Sequence, residues 1–146
     1  MNQRTIVSDV FIEGVGLHTG SFVTMKFKPA PENYGIRFQR MDLPDQPIIA
    51  ADVSKVVSTN RGTTLQEGVA QVWTVEHVLS ALAGLEIDNV LIELDGPEIP
   101  IKDGSAMDFV NILIGSGIVE QNAEREYFKI IEPISFEDET TGAEFL

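Results

Sequence analysis

The chain contains no cysteine, which excludes disulfides and thiolate metal sites and permits a reducing compartment. Histidine is nearly as scarce. His18 and His77 are the only two, so a transition metal would rest on those imidazoles and on carboxylates. Positive charge is short as well: 10 Lys and Arg face 23 Asp and Glu, for a net charge of −13. That balance argues against nucleic acid as a partner and against electrostatic docking on anionic lipid. No stretch approaches the roughly 20 apolar residues needed to span a bilayer. The opening MNQRTIVSDV has neither the basic nor the apolar region of a signal peptide. Together these absences lead to the expectation of a soluble, cytoplasmic protein.

What is present suits a folded domain. The 146 residues are 43% apolar with seven prolines, enough for about one domain with an ordinary core. Acidic residues concentrate at the end: Glu120, Glu124, Glu126, Glu132, Glu137, Asp138, Glu139 and Glu144 stand against only Arg125 and Lys129. Such a tail usually serves solvation.

The most informative stretch is Thr74–Leu85, TVEHVLSALAGL. Val75, Val78, Leu79, Leu82 and Leu85 recur with helical spacing, which predicts a helix with one face against a core. Thr74 reads as its N-cap and Gly84 as its stop. Glu76 and His77 then fall in the first turn, off the apolar stripe. The helix dipole there favours a carboxylate and disfavours a protonated imidazole. His77 is thereby left in the neutral, metal-binding form and Glu76 in the form that takes a proton. The pair is half of a metal site at most, because helical zinc motifs place a second ligand four residues on, where this chain has Ala81. A first-turn glutamate also has an ordinary structural reading on dipole grounds alone.

Along the chain, residues 3–13, 21–28 and 36–41 read as strands. In the second, Phe22, Thr24, Lys26 and Lys28 oppose Val23, Met25 and Phe27. The intervening Gly14-Val-Gly-Leu-His-Thr-Gly20 is not a nucleotide loop, since a strand rather than a helix follows it. Its glycines suit positive-φ turns or close backbone approach, and His18 on that turn is a candidate site residue. Residues 48–57 are ambiguous. Arg61–Leu65 and Val69–Trp73 read as a hairpin around Glu67-Gly68, within a small β insertion over 42–73. Asn89–Leu94 reads as a buried strand. Asp103-Gly-Ser105 starts a turn or caps a helix over Ala106–Ile114, with Met107, Val110 and Leu113/Ile114 inward. Glu120–Glu126 reads as a linker, and 127–131 with 133–136 as new strand-like material. The alternating stretch at Phe145-Leu146 leads to the expectation that a further domain follows.

Four motifs occur in order: GVGLHTG at 14–20, TVEH with LSALAGL at 74–85, Ile87-Asp-Asn89, and PEIPI-x-DGS at 97–105. As a set they resemble the zinc-dependent UDP-3-O-acyl-N-acetylglucosamine deacetylases of lipid A biosynthesis, over residues 3–122. The resemblance implies an α+β fold of two similar domains. Each is a two-layer α/β sandwich, ribosomal-S5-domain-2-like, with a mixed sheet, helices on one face and a small β insertion. Residues 1–122 would be the first domain, and 123–146 a linker and the opening strands of a second.

The resemblance also makes His77 one of three protein ligands of a Zn²⁺ ion and Glu76 the general base of a hydrolase acting on a UDP-sugar acyl substrate. Remaining ligands would lie outside this chain, in the second domain, and the fragment alone would be inactive. Asp103 is implied as a group orienting His77, His18 as lining the same cleft, and Arg61 as a departure near its mouth. Some members are fused to a 3-hydroxyacyl-carrier-protein dehydratase. The alternative reading is a non-catalytic two-layer α/β binding module such as an RNA-binding domain, which the charge of −13 disfavours.

Overall fold

The computed structural model describes residues 1–146. The chain begins β1 (Asn2–Ile6), β2 (Val10–Val15), β3 (Phe22–Pro29), β4 (Ile36–Arg40) and β5 (Ile48–Ala50). A single 3₁₀ turn (Val53–Lys55) leads to β6 (Val56–Ser58), β7 (Thr64–Glu67) and β8 (Ala70–Val72). Then come α1 (Glu76–Gly84), β9 (Val90–Leu94), α2 (Met107–Gly115), β10 (Ile118–Glu124), β11 (Phe136–Asp138) and β12 (Ala143–Phe145).

Period-two patterning sets the main sheet. Its order is β2-β3-β9-β4-β5, antiparallel except for the parallel β4–β9 pair. Alternation puts Val23, Met25 and Phe27 of β3 and Val90, Ile92 and Leu94 of β9 on the inner face, all buried. Val78 and Leu82 of α1 and Phe109 and Leu113 of α2 join them in one core. This is the expected two-layer α+β arrangement of a mixed sheet and helices. The small β insertion is present too, as the three-stranded sheet β6-β7-β8. Gly68 at φ +56 turns the β7–β8 hairpin, which begins at Thr64, later than Arg61. Arg40 anchors the insertion to the main sheet, since its guanidinium grips Asp42 through two hydrogen bonds and donates to the Gln71 carbonyl.

Several local expectations are corrected. Residues 3–13 are not one strand: the chain breaks at Val7–Asp9, so β1 and β2 lie in different sheets. The partner of β1 is β10, antiparallel, in the polar stretch read as a linker. Its polarity is that of a strand with one face in solvent, not of an unstructured connector. Just beyond it, Arg125 makes hydrogen bonds of 2.8 and 2.9 Å to the Asp88 carboxylate, which pins this end of the chain to the turn before β9. Residues 127–131 and 133–135 are not strands, and regular structure resumes only in the β11–β12 hairpin.

In α2 Phe109 and Leu113 are buried and Val110 packs partly against the core, so Val110 and Leu113 are inward as expected. Met107 and Ile114 are instead more than half exposed. The segment MDFVNILIG is apolar on several faces, so periodicity could not single one out. Finally, α1 ends on Gly84, but the left-handed residue beyond it is Glu86, at φ +56. No helix is long and apolar enough to cross a membrane.

Candidate active site

Glu76, at the start of α1, reaches the loop that walls a pocket, and His77 follows it on the helix. Glu76 is the first helical residue, where the dipole favours its charge. Its two oxygens differ. Oε2 accepts the Thr63 N–H at 2.8 Å, whereas Oε1 accepts no hydrogen bond and lies 4.0 Å from His77 Nε2. One oxygen is therefore anchored by backbone and the other is available to a substrate or water. The His77 ring nitrogens have no hydrogen-bond partner, and the side chain is partly exposed.

Thr63 belongs to the loop between β6 and β7, in which Arg61 and Gly62 both have positive φ, +60 and +156. This loop forms one wall of a cavity of about 240 Å³ lined by His18, Arg61, Gly62, Trp73 and Thr74 among others. His18 closes it from the β2–β3 turn, its Nε2 lying 3.0 Å from the Arg61 carbonyl. A carbonyl only accepts, so Nε2 carries the proton, and in the neutral ring Nδ1 keeps its lone pair. Arg61 makes no ion pair, and its guanidinium stands free beside the opening. Of the residues expected from sequence, His18 and Arg61 thus share one pocket, and Glu76 joins it through Thr63.

One expectation changes. Thr74 is not the cap of α1: that position is Val75, without a side-chain capping bond. Thr74 instead adopts φ +62, an unusual conformation for a β-branched residue. Its hydroxyl donates to Glu98 Oε1 at 2.9 Å. Asp103 makes no hydrogen bond to His77 here; its Oδ1 accepts the Ser105 N–H at 2.9 Å and the Ser105 hydroxyl at 2.8 Å. Those bonds build the turn before α2.

Glu98 is the residue sequence reasoning passed over. It is only 1% exposed and accepts from His18 N–H (3.0 Å), Thr19 N–H (2.8 Å) and the Thr74 hydroxyl (2.9 Å). The available signal was a glutamate set between prolines and isoleucines in PEIPI, since an acid in an apolar segment is buried only with partners. Burial pushes its carboxyl up, but the His18 and Thr19 amides, with the Thr19 and Thr74 hydroxyls, together hold it below the ordinary 4.5. A depressed carboxyl contributes stability that is full above the ordinary value and is lost as pH falls through the lower folded value. The melting temperature should therefore drop as pH falls below 4.5, and less steeply in Glu98→Gln. Parallel melting profiles for the two proteins would refute this.

Nowhere in the chain do three or more His, Asp or Glu side chains gather so as to hold a metal ion. The unpartnered imidazole of His77 fits one ligand of such a site, and the chain alone does not complete it.

Over residues 3–146 the sequence matches the family described as UDP-3-O-acyl N-acetylglycosamine deacetylase. The chain belongs to this family. It is 46% identical over 134 residues to the UDP-3-O-acyl-N-acetylglucosamine deacetylase of Psychrobacter sp. (strain PRwf-1), covering 92% of this chain and 45% of that protein. It is 48% identical over 136 residues to the bifunctional enzyme LpxC/FabZ of Chlorobaculum tepidum, covering 93% of this chain and 29% of that protein. To the deacetylase of Bdellovibrio bacteriovorus it is 46% identical over 136 residues, covering 93% and 45%. The chain therefore spans less than half the length of these relatives.

Proposed function

We propose that this chain is the N-terminal part of a zinc-dependent hydrolase. The full-length protein removes the N-acetyl group from UDP-3-O-(3-hydroxyacyl)-N-acetylglucosamine, the committed step of lipid A synthesis, in the cytoplasm. Residues 1–122 form its first domain, and 123–146 lead into a second that completes the site. The observation carrying this reading is the Glu76–His77 pair at the mouth of α1, with Glu76 Oε2 fixed by the Thr63 amide and Oε1 left open, in a chain of the deacetylase family.

Each residue then has a task. His77 lends an imidazole nitrogen to Zn²⁺, and ligands from outside these 146 residues supply the rest. When bound, the metal acidifies a water and polarises the acetamide carbonyl. Glu76, anchored through one oxygen, takes the proton on the other as the water attacks. His18 and Arg61 border the cavity beside it and line the approach of the substrate. Residues 1–146 alone are inactive on this reading, because one imidazole and one carboxylate do not retain a catalytic metal. The test is stringent chelation of the full-length protein followed by measurement of acetate release from the UDP-sugar. Activity should vanish and return with Zn²⁺. Undiminished turnover by metal-free protein would overturn the proposal.

A further inference from the structure

We propose that Glu98 is a positioning residue for the pocket: its carboxylate ties the turn that carries His18 to the residue that opens the helix carrying Glu76 and His77. Three observations converge on it. The His18 and Thr19 N–H groups have no backbone acceptor, and the Glu98 carboxylate is their only partner, at 2.8–3.1 Å. On the opposite wall, the same carboxylate takes the hydroxyl of Thr74, the residue held at φ +62 immediately before the helix cap. Gly16 leaves room for it: a Cβ there would collide with Glu98 Oε2 and the Thr19 hydroxyl. The chain has thus kept side-chain volume out of the turn at the point where the carboxylate enters.

The backbone shows why this is alignment rather than mere attachment. The segment carrying Glu98 is already stitched to both walls. Trp73 N–H donates to the Pro97 carbonyl at 2.8 Å, Ile99 N–H to the Trp73 carbonyl at 3.2 Å, and Ile101 N–H to the Val15 carbonyl at 3.0 Å. Those bonds do not use the carboxylate. What it adds is the placement of the turn tip, and hence of the His18 imidazole against the Arg61 carbonyl 3.0 Å away. Through Thr74 it also places the start of the helix that carries the reacting Glu76. A glutamine substitutes only in part. In one orientation its NH₂ faces the Thr19 N–H and leaves that donor without an acceptor. In the other the Thr74 hydroxyl must turn to accept, and the His18 and Thr19 amides share one neutral oxygen in place of a carboxylate.

The kinetic arm of the test rests on the deacetylase reading, and the spectroscopic arm does not. In the full-length protein, Glu98→Gln should lower kcat by about 10²-fold, the scale of a small misplacement of reacting groups, while KM changes far less. In ¹H–¹⁵N spectra of the imidazoles, the His18 Nε2–H signal should be lost to exchange as its bond to Arg61 loosens. Thr74→Val should lower kcat more than Thr74→Ser, which keeps the hydroxyl. A folded Glu98→Gln protein with wild-type kcat and an unaltered His18 signal would overturn the proposal. If that variant does not fold, the Thr74 pair decides: identical kcat and His18 signals in the Val and Ser variants refute it. If wild-type protein fails to release acetate, the functional reading falls, and the His18 signal still tests the positioning role.

Discussion

Replacing Glu76 with alanine in the full-length protein should lower kcat by about 10²–10⁴-fold while leaving its metal content unchanged. The neighbouring change His77→Ala should instead lower zinc content and activity together. The contrast follows from the different surroundings of two adjacent side chains. Glu76 faces the pocket loop and is held there by the Thr63 amide. Its removal takes away a proton acceptor and frees one backbone donor, but no imidazole. His77 has no hydrogen-bond partner of its own, so nothing in this chain competes with a metal for its nitrogens. Metal analysis alongside steady-state kinetics separates the two roles. A Glu76→Ala protein that turns over normally, or one that loses its zinc, would remove Glu76 from the role of general base.

The placement of that pair was legible in the sequence because it depends on local physics. An apolar stripe at helical spacing, with an acid in the first turn, fixes where a helix begins to within a residue or so. Strands β3, β4 and β9 of the main sheet were legible from equally local patterns, and Phe22–Pro29 alternates apolar with polar over its whole length. By contrast, β5 lies in a stretch with no decisive pattern, and β2 reads in sequence as continuous with β1. What sequence could not give was partnership at a distance. The pairing of β1 with β10 joins Thr5 to Val119, and nothing near either end announces the other. Thr74 has the composition of a cap, yet its hydroxyl is claimed by Glu98, 24 residues on, and the capping role disappears. Asp103 was legible as a turn residue because its bond to Ser105 is local.

The same alternation supports the largest stability difference expected within one element. Phe27→Ala should destabilise the protein by about 3–5 kcal/mol, whereas Phe22→Ala, five residues earlier in β3, should cost no more than about 0.5 kcal/mol. Both are phenylalanines in one strand, so composition and β-propensity do not separate them. Parity does. Phe27 is 0% exposed and sits opposite Val10 on one side and Ile92 on the other, on the face that packs against the helices. Its truncation opens a ring-sized cavity among side chains that are themselves fixed in strands and cannot collapse far. Phe22 lies on the other face, 66% exposed, and its loss leaves no void. Set against a typical total stability of about 5–15 kcal/mol, the first change removes a large fraction of what holds together the core that α1 shares. The mouth of the site, which depends on that helix, should loosen with it. Denaturant midpoints of the two variants measured side by side provide the check. If Phe22→Ala proved as costly as Phe27→Ala, the outer face of the sheet would have to be packed as tightly as the inner one, and a two-layer domain would be the wrong description.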